Sequence, residues 1–417
     1  MSNEEKLVKM LKYVSEHNDF YKNRIKEYGI SNPLDITQWP VLTRKELQEN
    51  RYNMFSDGYK SKYFNQQLRR QSSSGSSGVP VNVYWDYKDW YASNMSLWRK
   101  RLQWYGIHPN DKYIMFTLNA FNMVSDGETV YYINDPENIL SINVSLIQND
   151  SGYEKIIDII NDFEPRWLYI QPFVLNKLIQ AYEHTGKLPP KTLKYIESVG
   201  EVLDSDLRRR GVNFFEVPLA NMYGSEEMNG IAYECPNHHM HAIDENVLIE
   251  IQNKTGIFKN GEGESIITNK NNIGMPLVRY SQGDMLILDD YKECCYCDFI
   301  SPIIKMIKGR TYESIFFADG TELNSLVLLE LLSEINNQFD YIVTEYKFKY
   351  CATQKTILCL IKLESKFRKW FPNVEKALKR IFELKFNSNI VKLDVILVNH
   401  SLWENGKKHI LEISENQ

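Results

Sequence analysis

Residues 71–80 read QSSSGSSGVP. Serine hydroxyls are donors that suit phosphate oxygens, and glycine lets backbone N–H groups approach an anion closely. A flexible Gly/Ser linker has the same composition. This stretch is short, however, and closes in Gly78-Val79-Pro80 before the apolar VNVYW, as a loop between two strands does. No Gly-Lys-Ser/Thr follows, so it is not a Walker loop. A second segment, NMYGSEEMNG (221–230), follows a strand-like run and places Tyr223, Gly224 and two adjacent carboxylates at its exit. Ligands bind at strand ends in parallel sheets. A carboxylate there can hold Mg2+, which takes oxygen ligands shared with a nucleotide's phosphates. An exposed acidic turn is the alternative. In RYSQGDM (279–285), Asp284 follows Gly283 at an expected turn, within reach of a ribose diol. Gly309-Arg310 could contact ribose or phosphate, and the Gly-Lys turn of WENGKKHI (403–410) offers Lys407 to developing phosphate charge.

Thiols and imidazoles form a second constellation. ECPNHHMHAIDE and ECCYCD lie some 60 residues apart. Together they offer three thiolates and one imidazole, a closed tetrahedral set that suits structural zinc. The favoured ligands are Cys235, His241, Cys295 and Cys297. His238 and His239 are alternates for the imidazole, and Cys294 for a thiolate. Reduced thiols beside solvated histidines are the competing account. Cys351 and Cys359 stand alone in strand-like stretches and read as core thiols.

These segments need a scaffold. The chain has 417 residues, 43% hydrophobic and 25% charged, which implies two domains or more. A formal charge of −5 argues against nucleic acid, since phosphate contacts demand clustered Lys and Arg. The N-terminus is a polar amphipathic helix rather than a signal peptide, and no apolar run is long enough to span a membrane. The expected location is cytoplasmic, where six cysteines do not make a disulfide framework.

The expected fold class is α/β: a large N-terminal domain with parallel sheets and a β-rich subdomain, plus a small mobile C-terminal α+β domain. The first 70 or so residues read as helices, with Thr43 capping one of them. From about 80 to 230, helix and strand patterns alternate, which implies a mainly parallel sheet. Within that run, the helix LDSDLRRRG is expected to stop at Gly211, and NFFEVPLANMYG to be a strand. Short strands over about 235–305 make the β-rich part. The domain boundary is expected at Lys308–Gly309, giving domains 1–308 and 309–417.

Taken together and in this order, the motifs resemble the ANL superfamily of adenylate-forming enzymes. Within it the chain is most similar to the branch of phenylacetate–coenzyme A ligases and capsular-polysaccharide adenylase-like proteins, from about residue 40 to the C-terminus. Ser73, Ser74, Gly75, Ser76, Ser77 and Gly78 match the family's S-S-G-(T/S)-(T/S)-G-x-P loop, which orients the β- and γ-phosphates of ATP. Gly200 and Glu201 match the G-E-x-L segment before the adenine pocket. YGSEE fits Y-G-x-(S/T)-E, which implies Tyr223 and Gly224 beside adenine and Glu227 as the Mg2+ carboxylate. Asp284 falls on the ribose hydroxyls, Arg310 on the hinge and ribose, and Lys407 on the mobile lysine that assists adenylation. Relatives in this branch also carry cysteine–histidine and C-x-C pairs at the zinc positions.

The chain departs from the pattern in places. Glu226 replaces a Ser or Thr that contacts phosphate, and Val79 replaces a frequent Lys or Arg. The Gly-rich strand–turn of the aryl ligases is missing around 118–130. The resemblance implies ATP-dependent activation of a small carboxylic acid, then transfer to coenzyme A or a carrier protein. Transfer to an amine and a ligand-binding member without turnover are the alternatives. Phe121, Met123, Tyr195 and Met228 are expected to line an apolar acyl pocket, and the aromatic-rich helix at 87–105 is a candidate homodimer surface.

Overall fold

Alternation of apolar residues every second position, broken by Gly and Asn turns, makes strands of most of residues 219–308. The chain is described here from a computed structural model, over residues 2–72, 81–117, 124–125, 130–133, 138–143, 150–289, 297, 299–310, 315–317, 322–323, 325–339, 342–363, 365–386, 390–400, 402 and 411–414. It divides into two compact units, one of residues 1–109 and 220–308, the other of residues 110–219 and 309–417.

In the first unit the strand order is Gly256–Phe258, Val247–Asn253, Gly261–Asn269, Tyr280–Asp289, Ile303–Arg310, Met240–Ala242, Asn229–Glu234 and Leu219–Ser225. Consecutive members such as Val247–Asn253 and Gly261–Asn269 pair antiparallel. The N-terminal helices Asn3–His17, Asp19–Glu27 and Arg44–Glu49 pack into the same core, where Leu11, Val14, Tyr21, Trp39 and Leu42 join Val278, Tyr280 and Leu286. Thr43 begins the last of these helices with a full capping box to Glu46. The strands Arg69–Ser72 and Asn82–Trp85 pair antiparallel in the register Ser72↔Asn82, so the serine-rich stretch joins the two strands of a hairpin. Residues 73–80 themselves lie outside the described residues. The helix Tyr87–Tyr105 follows, capped by Asp86 and closed by Gly106 at φ +65°.

In the second unit the strands Ile139–Asn143, Tyr113–Thr117, Trp167–Ile170 and Tyr195–Val199 are parallel neighbours. The helices Asp150–Phe163, Pro172–Thr185 and Ser205–Phe215 alternate with them, as the βαβ pattern requires. One expectation fails here. Gly211 does not end its helix, and Phe214 and Phe215 are helical rather than extended. Gly211 is small because it packs closely: a Cβ there would meet Leu219 Cδ1 at 3.0 Å. The helix stops at Glu216, which adopts φ +53°. The C-terminal part of this unit has a sheet in the order Lys392–Leu397, Thr356–Leu363, Val343–Cys351, Leu411–Ser414, with helices Ser325–Gln338 and Phe371–Lys385. Cys359 is buried in its core, as expected; Cys351 is half-buried. No described helix is long and apolar enough to cross a membrane.

Candidate active site

The two adjacent carboxylates sit in a hairpin turn. Strand Leu219–Ser225 turns back antiparallel into Asn229–Glu234, in the register Ser225↔Asn229. The turn is locked from three sides. Met228 is fully buried in the core and donates its N–H to Ser225 Oγ at 3.3 Å. Asn229 takes φ +59° and donates from Nδ2 to Ser93 Oγ at 2.6 Å. Gly224 faces Asn229 so closely that a Cβ would lie 2.5 Å from its carbonyl oxygen. With Met228 anchored inward, Glu226 is on the exposed rim and Glu227 is buried.

Glu227 Oε1 lies 3.8 Å from Arg44 Nη1 and accepts from the Tyr280 hydroxyl at 3.5 Å. Gln71, at the base of the serine-rich hairpin, donates from Nε2 to Glu226 Oε2 at 3.2 Å and to Asn229 Oδ1 at 3.1 Å. The serine-rich segment is thereby tied at its root to the acidic turn. Surrounding protein and the charge of Glu227 raise the Glu226 carboxyl above the ordinary range, opposed by Gln71 and Arg69.

Asp284 belongs to the same cluster, although not as expected. It lies inside strand Tyr280–Asp289 rather than in a turn between strands. The register slips there, with Met285 opposite Glu264 but Ser281 opposite Ile266, and Gly283 takes φ +87°. This bulge brings Asp284 Oδ2 to the Tyr223 hydroxyl, which donates to it at 2.5 Å. Gln282 Nε2 donates to both, at 2.7 and 2.9 Å, and Gln282 Oε1 accepts from Ser225 Oγ at 3.2 Å. The sequence reading missed Gln71, Gln282, Tyr280 and Arg44. Gln282 stood inside a quoted motif, whereas Arg44 carried no local signal beyond the helix cap before it. The buried carboxylate of Glu227 beside Glu226 is an oxygen donor set of the kind Mg2+ takes.

Other expected residues distribute as follows. Gly200, at φ +77°, and Glu201 follow the fully buried strand Tyr195–Val199 in the second unit. Arg310 ends strand Ile303–Arg310, and its side chain is not described. Lys407, Phe121, Met123, Cys294 and Cys295 lie outside the described residues. Tyr195 and Met228 are both fully buried, Tyr195 against Trp167 and Met228 in the first unit's core.

The metal candidates partly converge. Ligand atoms of Cys235, His239 and His241 lie within 4.8 Å of one another. Cys297 Sγ is 3.2 Å from His241 Nε2, whose ring Nδ1 is 3.3 Å from Ser301 Oγ. His239, held only as an alternate, therefore joins His241. Its Nδ1 is buried with no hydrogen-bond partner among the described residues. His238 is turned away: it adopts φ +61° in the turn and pairs with Glu234 at 3.2 Å. One thiol and two imidazoles thus converge, with Cys297 against His241 alone, and these are donor types that zinc takes.

Comparison with known proteins gives a consistent fold. No protein-family model matches the chain. A phenylacetate–coenzyme A ligase of Thermus thermophilus is 22% identical over 322 residues, 74% of this chain and 69% of its own length. A crystal structure of a 2-hydroxyisobutyryl-CoA ligase in the postadenylation state, in complex with R3-HIB-AMP, superposes with a TM-score of 0.74 at 13% identity. The match covers 99% of this chain and 89% of that one. The GH3.15 acyl acid amido synthetase superposes with a TM-score of 0.60 at 12% identity, over 95% and 85% of the two chains. The chain thus carries the fold of the ANL superfamily of adenylate-forming enzymes, with a phenylacetate–coenzyme A ligase as a distant relative in sequence.

Proposed function

We propose that the protein activates a carboxylic acid with ATP and passes the acyl group to a thiol, that of coenzyme A. The observation that carries this reading is the cluster on one face of the first unit. There the acidic turn of Glu226 and Glu227 is tied through Gln71 to the root of the serine-rich hairpin. Tyr223, Gln282 and Asp284 form a second hydrogen-bonded set reached through Ser225 of the same turn. The substrate carboxylate attacks the α-phosphorus, an acyl–adenylate forms, and the bond to pyrophosphate breaks. Ser73, Ser74, Ser76 and Ser77, with the N–H groups of Gly75 and Gly78, hold the departing pyrophosphate. Tyr223 and Gly224 bound the adenine with Gly200 and Glu201, and Asp284 and Arg310 hold the ribose. Lys407 faces the charge that builds on the α-phosphate. Mg2+, when bound at Glu227, supplies charge neutralisation on the phosphates. No protein nucleophile is needed.

The C-terminal residues from 309 onward are proposed as a mobile domain that turns about Lys308–Arg310 between the two half-reactions. Cys235, His239, His241 and Cys297 are proposed to hold a structural zinc ion, with Cys295 as a further candidate. Transfer to an amine is the second reading, favoured by the likeness to an acyl acid amido synthetase over most of both chains.

The test is acid-dependent exchange of pyrophosphate into ATP across a panel of aryl, short-chain and amino acids, with Lys407→Ala as control. Exchange with one acid, lost in the control, is the expected result. Coenzyme A and amines added to the same reaction then separate the two acceptors. No exchange with any acid, despite binding of MgATP, moves the protein to a ligand-binding role.

A further inference from the structure

We propose that Arg44 is a built-in counter-ion of this site. It holds Glu227 while the site is empty, yields the carboxylate to a divalent cation, and then engages the phosphate oxygens of the nucleotide. The inference rests on the reading of the site as one for MgATP.

Arg44 is placed by backbone rather than by chance. Leu42 forms an isolated parallel bridge with Tyr280, donating to Arg279 O at 2.8 Å and accepting from Ser281 N at 2.9 Å. The Tyr280 hydroxyl donates to Glu227. Two residues on, the Thr43 capping box starts a helix with Arg44 as its first residue. The guanidinium therefore reaches Glu227 of the acidic turn from a stretch of backbone held on both sides. Its side chain is 21% exposed and that of Glu227 is 6% exposed, so the pair is shielded from bulk water without being sealed. At 3.8 Å the contact is longer than a charge-assisted hydrogen bond of about 2.8 Å.

Charge explains why a cation is wanted there. Glu226 and Glu227 put two carboxylates beside the expected phosphate path, and the nucleotide adds more negative charge. The loop QSSSGSSGVP has no charged side chain. Arg69, which also acts on Glu226, lies over the Trp90 ring with Cζ 4.2 Å from its centroid. Arginine's planar fork matches phosphate oxygens as well as carboxylate oxygens, which suits a group that must serve both in turn.

The experiment follows two ligands in opposite directions. Mn2+ binding without nucleotide is read by electron paramagnetic resonance, counting only the signal that Glu227→Gln removes. MgATP binding is read by calorimetry. For Arg44→Ala, Mn2+ should bind about tenfold more tightly, because its competitor is gone, and MgATP about tenfold more weakly. Arg44→Lys should restore part of both. A distorted site would weaken both ligands together, and that outcome overturns the proposal. So does an unchanged affinity for either ligand. A wild-type protein that binds neither ligand overturns the reading of the site and the inference with it; wild-type binding that Arg44→Ala leaves alone overturns the inference only.

Discussion

Asp89 sits in the first turn of helix Tyr87–Tyr105, where a carboxylate normally gains from the helix dipole. Its Oδ2 is nonetheless buried, with no hydrogen-bond partner among the described residues. Burial, with the charge of Asp86 added, pushes its pKa up to about 6, against the pull of an Ile273 backbone hydrogen bond, Lys88 and Lys62. The folded state therefore binds a proton that the unfolded chain releases near pH 4. Stability falls as pH rises from about 4 through 6 and stays lower above that window. Asp89→Asn should remove this dependence. The residue is only half-buried, so the gain at pH 7.5 is discounted to about 1 kcal/mol, or roughly 1–2 °C in Tm, with none at pH 4. Thermal melts of both proteins at the two pH values check it; an equal shift at both would refute the assignment. Nothing in the sequence marks Asp89, because burial of one carboxylate oxygen is set by residues far along the chain.

At the scale of elements, the sequence was most legible where a cap or a period decided the outcome. Thr43, Gly106 and Gly186 end or begin their helices as their types predict. Gly211 misled, since the same residue type that closes a helix also permits close packing within one. The histidines of PNHHMH show a rule that was available and unused. Tyr233 pairs with His241 and Glu234 with Met240, so His239 and His241 fall two apart along one face, while His238 stays in the turn. If that hairpin is pinned by zinc, Cys235→Ser should lose the metal and lower Tm by several degrees, with the KM for ATP unchanged. Metal analysis alongside kinetics decides this, and full zinc occupancy in the variant would end the proposal. The acidic hairpin gives a separate test. Gly224→Ala forces a Cβ against the Asn229 carbonyl at 2.5 Å, so the turn must shift. A loss of about 1–3 kcal/mol is expected, with MgATP binding weakened more than the stability change alone explains. Calorimetry at a temperature where the variant is fully folded separates the two effects.

At the scale of the molecule, the N-terminal residues are part of the first unit's core rather than an appendage, and one side chain carries much of that connection. Arg279 was legible only as the first letter of a motif. In the structure it is buried at φ +50°, donates from Nη1 to the carbonyls of Thr37 at 3.0 Å and Trp39 at 2.9 Å, and from Nε to Glu250 Oε2 at 2.9 Å. It thus ties the segment before Arg44 to the strands Val247–Asn253 and Tyr280–Asp289. The Tyr21 hydroxyl adds a second tie, donating to Pro276 O and accepting from Val278 N. Sequence patterns could not show this, since the partners lie some 240 residues apart. Arg279→Ala leaves Glu250 charged and buried without its cation, which should cost about 3–5 kcal/mol in chemical denaturation. The double variant Arg279→Met with Glu250→Leu should recover part of that loss, because the unpaired charge is gone while the two carbonyl contacts stay lost. If the single variant cost under about 1 kcal/mol, the carbonyls and Glu250 would have to be served by water instead, and the N-terminal segment would be held by apolar packing alone.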